Sequence, residues 1–148
     1  MSYSKSDIPK ISEKFNKNII RLLKVIESLN LNEYKSNIKV CKTALNIAIN
    51  ETPILLLQNS GKYIFIYKDY IINKNFDELF NVDNISNYKK VLENDYSDVV
   101  NEFNNNDMIK LMNIIKLKWN NFNEHEKNYI YKIFTNLLSE YSKYKTIN

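Results

Sequence analysis

A chain of 148 residues, 44% hydrophobic and 26% charged, carries enough apolar surface to fold around one core without a metal or a disulfide. One Gly and two Pro argue against a turn-rich β fold, while one Cys and one His can make neither an intramolecular disulfide nor a zinc site of ordinary spacing. The net charge of +4 is divided, with +5 in residues 1–50, +1 in 51–74, −6 in 75–107 and +4 in 108–148, so no block is dense enough for a nucleic-acid tail.

Ile8, Ile11, Phe15, Ile19, Leu22, Ile26 and Leu29 follow one another at steps of three and four, which predicts an amphipathic first helix over 8–29. Ile20 and Leu23 widen its stripe to the breadth of a globular bundle. After Asn30 to Asn32 the same spacing recurs in Tyr34, Ile38, Cys41, Leu45 and Ala48, with Val40, Ala44 and Ile47 beside them, and predicts a second helix to about Asn50. Cys41 reads as a small buried side chain there, and a single cysteine fits a reducing, intracellular setting such as cytoplasm or a virus factory, or a virion. Thr52-Pro53 is a standard start for a third helix, Thr as cap and Pro at the first helical position.

Residues 54–67 admit two readings. Two helices broken at Gly61 are preferred; a short hairpin around residues 54–67 competes, but its apolar runs do not alternate and it has no further sheet to join. Residues 75–106 read as an acidic, Asn-rich connector led in by Phe76, Leu79, Phe80 and Val82, with a helix at 85–94 and a helical turn at 97–103. Met108, Leu111, Met112, Ile115 and Trp119 then mark a helix whose tryptophan is expected to be buried where the last two helices pack on the first. Asn123 with Glu126 forms a capping-box pattern before a last helix presenting Ile130, Phe134, Leu137, Tyr141 and Tyr144. The expected architecture is an all-α, single compact helical bundle of about five to seven helices, with 1–148 as one helical domain.

Chemistry-bearing residues are sparse. No Gly-rich loop is present to cradle a phosphate, His125 reads as a surface residue at a helix start, and Asp95, Asp98 and Glu102 lack the order of a calcium loop. No catalytic, cofactor-binding or metal-binding residue is assigned, and an enzyme is not expected. The 25 Asn, and the 20 Lys against one Arg, follow from A+T-rich codon usage. Tyr63, Tyr67 and Tyr70 with Lys62, Lys68 and Lys74 make the best partner-binding cluster, the competing reading being rings that complete the core. Tyr131 lies off the apolar stripe of its helix and is a further candidate contact.

The order of features, from the amphipathic first helix through Thr52-Pro53, Tyr63 to Asp69, Lys110 to Trp119 and Lys127 to Leu138, resembles small uncharacterised helical proteins of large nucleocytoplasmic DNA viruses. The resemblance implies no activity and no functional residue. In size and helicity the chain is also similar to viral Bcl-2-like domains, although it has no Asn-Trp-Gly-Arg motif. The expected function is a non-enzymatic protein-interaction or structural module, a virion or host-factor-binding component. A nucleic-acid-binding accessory protein and a Bcl-2-like regulator of host signalling are the alternatives. The expected partner is a protein, with weak nucleic-acid binding and homo-oligomerisation as further options and no transmembrane segment.

Overall fold

The stripe drawn by Ile11, Phe15, Ile19, Leu22 and Ile26 becomes the inner face of α1 (Ile8–Glu27), where all five side chains are buried. Each such side chain stabilises the fold by roughly 1.5–3 kcal/mol relative to exposure. The computed structural model describes residues 2–81 and 105–147. Six further α-helices follow among them: α2 (Lys35–Glu51), α3 (Leu55–Ile66), α4 (Lys68–Ile72), α5 (Phe76–Asn81), α6 (Asn105–Lys118) and α7 (Glu124–Lys145). The architecture is an all-α bundle with no strand among the described residues. α1 and α7 form the most extensive helix pair, α3 lies across α7, and α2 and α6 close the remaining sides of α1.

The hairpin alternative is thereby corrected, and so is the break at Gly61, which lies inside the continuous helix α3. Leu56, Leu57, Tyr63 and Ile64 are all buried, so the uninterrupted apolar run marks a helix covered on most sides. A helix-interior glycine costs about 1 kcal/mol relative to alanine. Here it admits the Tyr141 ring of α7, which lies where a Cβ on residue 61 would stand.

The third helix also opens later than Thr52-Pro53 implied. Thr52 closes α2 with φ −142° and ψ 76°, no side chain caps α3, and the Thr52 carbonyl accepts a turn hydrogen bond from the Leu55 amide at 2.9 Å. The Pro53 carbonyl accepts the side-chain amide of the buried Asn16 at 3.0 Å. A contact from α1 thus fixes the turn.

Asparagine replaces glycine at one helix end, where Asn30 takes φ 52° just after α1. α4 ends in a Schellman pattern, with Asn75 N–H on the Tyr70 carbonyl at 2.8 Å and Lys74 N–H on the Ile71 carbonyl at 3.2 Å, and Lys74 held at φ 50°. The capping box of α7 forms as its sequence requires: Glu126 N–H donates to Asn123 Oδ1 at 2.8 Å, and Asn123 N–H to Glu126 Oε1 at 2.9 Å.

The presumed connector begins with a helix, α5. Phe76 and Leu79 are fully buried, and Phe76 lies 4.8 to 5.4 Å, centroid to centroid, from Phe80, Trp119, Tyr131 and Phe134. The helix expected at 85–94 and the turn at 97–103 lie outside the described residues. Trp119 is buried as expected, but against α5 and α7: its ring faces Phe76, Phe80, Phe122 and Tyr131, and its indole N–H donates to Asp77 Oδ1 at 2.8 Å.

Candidate functional site

The Tyr/Lys cluster is split by the fold. Tyr63 and Tyr67 are core residues in edge contact at 5.1 Å, and burial followed by the neighbouring Tyr67 pushes the Tyr63 phenol well above its ordinary range. Tyr70 and Lys62 are half-buried, Lys68 is exposed with its ammonium 4.6 Å from the centre of the Phe65 ring, and Lys74 closes the α4 cap. The reading of the tyrosines as core is the one the packing favours. Tyr63 and Tyr67 present no ring to a partner.

Tyr131 is corrected in the same sense. It is buried, and its hydroxyl accepts the Phe76 amide at 2.8 Å, because α5 packs on the flank of α7 that the apolar stripe alone leaves open. Burial raises its phenol, opposed by that amide and reinforced by the Asp77 and Glu124 carboxylates. Cys41 is buried, and its thiol is pushed up to about 11 by burial and then by the Asp107 carboxylate, toward which Sγ–H donates at 3.9 Å. A thiol held protonated is a poor nucleophile. His125 is exposed on the first turn of α7. The described residues hold no group of three or more His, Cys, Asp or Glu side chains able to bind a metal, and Asp95, Asp98 and Glu102 lie outside them. No helix among them is long and apolar enough to cross a membrane.

Two surfaces remain that the sequence did not single out. The first is the outer flank of α2. Ile38, Cys41, Leu45 and Ala48 face the core, yet Val40 is 59% exposed and Ile47 38% exposed, with Ala44 half-buried between them. Their spacing of four and three residues draws a second apolar stripe on the same helix. Lys35, Lys39 and Lys42 lie on the other flank of α2, around Ile38, and Lys42 pairs there with Glu27 at 3.2 Å.

The second surface is a groove of about 570 Å³ between α1 and α7. Asn18 of α1 is buried and organises its floor, donating to the Lys14 carbonyl at 2.9 Å. Its Oδ1 accepts both Asn136 of α7 at 3.3 Å and the guanidinium of Arg21 at 3.4 Å. Lys132, His125 and Tyr129 stand on its walls, and among the described residues no carboxylate lines the groove. The available signal was a polar residue at the edge of the core stripe: Asn18 stands three residues after Phe15 and four before Leu22, next to the stripe residue Ile19.

No protein-family model matches this chain, and neither a curated protein nor a solved structure is significantly similar to it.

Proposed function

We propose that this chain is a non-enzymatic protein-interaction module whose partner docks on the outer flank of α2. The observation that carries the reading is the stripe of exposed Val40 and Ile47 with half-buried Ala44 between them, on a helix that already fills the core with its other face. Scattered exposed apolar residues are ordinary, whereas residues aligned at helical spacing offer one continuous contact line. The partner that fits is a segment that presents an apolar ridge to this stripe, as one face of an amphipathic helix does. The burial of Cys41 and the exposure of His125 add weight, since neither is set up as a nucleophile–base pair. A viral or host-factor setting belongs to the proposal on the strength of the sequence resemblance alone.

The test compares wild-type bait with a Val40→Asp/Ile47→Asp variant in affinity capture from host cells with quantitative mass spectrometry. Both positions are exposed, so the melting temperature should be unchanged within ~2 °C. One protein captured by wild type and lost from the variant supports the reading. Equal recovery of all proteins by both baits overturns it, and a wild-type dimer that the variant dissolves identifies the partner as a second copy.

A further inference from the structure

We infer that the groove between α1 and α7 binds a phosphate monoester through Arg21 and Lys132. The inference is independent of the α2 surface, because the two sites share no residue.

Three observations converge on an anion. Arg21 and Lys132 come from facing helices, and neither has an ion pair among the described residues. Among the described residues no carboxylate lines the groove that would neutralise them. Beneath them Asn18 is committed as an acceptor, since its Oδ1 takes both the Asn136 amide and one guanidinium nitrogen. That arrangement tethers the arginine by one edge of its fork and leaves its remaining N–H groups for a ligand. Preorganisation of this kind lowers the entropy lost when a long side chain closes on an anion.

The geometry also selects the anion. A planar carboxylate is satisfied by a single fork, whereas a phosphate monoester offers three terminal oxygens and nearly two charges at neutral pH. Donors reaching in from two helices match the second. The amides of Asn128 and Asn136 and the hydroxyl of Tyr129 add neutral donors to the same groove. Its volume of about 570 Å³ exceeds what a phosphate alone fills. The 43% exposed ring of Tyr129 supplies apolar surface for the group that the ester carries. A phosphodiester chain, by contrast, requires cations repeated along a track, and this groove has one convergent set.

The experiment is an amide and arginine Nε–H nuclear magnetic resonance titration of the whole chain at constant ionic strength, with inorganic phosphate, phenyl phosphate, acetate and a short single-stranded RNA. Phenyl phosphate should shift signals of Arg21, Tyr129 and Lys132 and bind ~10-fold more tightly than acetate. Tighter binding of phenyl phosphate than of inorganic phosphate assigns the site to an ester; equal binding overturns the ester and leaves the free ion. Arg21→Gln and Lys132→Gln, substitutions on different helices at exposed positions, should each weaken phenyl phosphate ~10-fold, and Arg21→Lys, which keeps charge and loses the fork, by several-fold. Equal affinity for acetate, indifference to both Gln variants, or tighter binding of the RNA than of the monoester overturns the proposal.

Discussion

The Tyr141 ring of α7 occupies the space that a Cβ on Gly61 of α3 would need, with Cγ about 2.9 Å from its position. The same ring stacks at an angle on Phe65, 5.7 Å away, and on Tyr144, 6.2 Å away, so it cannot swing aside without losing both contacts. Gly61 is therefore a packing residue of the α3–α7 crossing.

Gly61→Ala should destabilise the fold by up to about 2 kcal/mol, because overpacking costs about 1–3 kcal/mol against the roughly 1 kcal/mol gained in helix propensity. In a Tyr141→Leu background, where the ring is gone, the same substitution should be neutral or stabilising. Urea denaturation of the four members of this cycle reads the coupling directly. Additive effects would show that the ring does not set the helix spacing.

Trp119→Ala should cost about 3–5 kcal/mol, since the indole is 2% exposed and enclosed by Phe76, Phe80, Phe122 and Tyr131. Trp119→Phe keeps a ring but removes the donor to Asp77, and should cost less. Native tryptophan emission should be blue-shifted and should move to the solvent wavelength on unfolding. Emission at the solvent wavelength in the folded protein would contradict the packing.

Stability should fall at alkaline pH. Cys41, Tyr63 and Tyr131 all have folded-state pKa values raised above their ordinary ones by burial. The unfolded chain therefore releases these protons first as pH rises, and the stabilisation present below pH ~9 is lost progressively above it. For Cys41 the loss runs from its ordinary value of 9.0 to about 11. Cys41→Ala should flatten the first part of the decline, and Tyr131→Phe a later part, in urea midpoints measured from pH 7 upward under reducing conditions. A stability that is constant to pH 11 in wild type would exclude this account.

The helices that could be read from the sequence are those whose apolar residues repeat at three and four, namely α1, α2, α6 and α7, together with the Asn123–Glu126 cap. Their signal is local, each helix showing one face to the core. What escaped is set by contacts between distant segments. Gly61 is explained by Tyr141, the late start of α3 by Asn16, and the burial of Tyr131 by Phe76. Phe76, Leu79 and Phe80 did carry helical spacing, but six residues are too few for a periodicity to stand out. The candidate surfaces escaped for a related reason. Val40 and Ile47 look like a widened core stripe until the fold shows them exposed, and Arg21 is one basic residue among many until α7 places Lys132 across from it.

Lys74 is held at φ 50°, a left-handed conformation that costs a residue with a Cβ roughly 1–2 kcal/mol and glycine almost nothing. Its N–H bonds the Ile71 carbonyl and closes the α4 cap, so its backbone has a structural duty whatever its side chain meets. Lys74→Gly should therefore stabilise the protein by about 0.5–1 kcal/mol, the greater freedom of glycine in the unfolded chain offsetting part of the relief. Lys74→Ala, which keeps the Cβ and removes only the ammonium, should change stability by less than about 0.5 kcal/mol. Urea midpoints of the two variants separate backbone from side chain. A Gly variant no more stable than the Ala variant would mean that the left-handed turn is not strained, and loss of partner capture in the Ala variant would restore this lysine to the interaction surface that the sequence suggested.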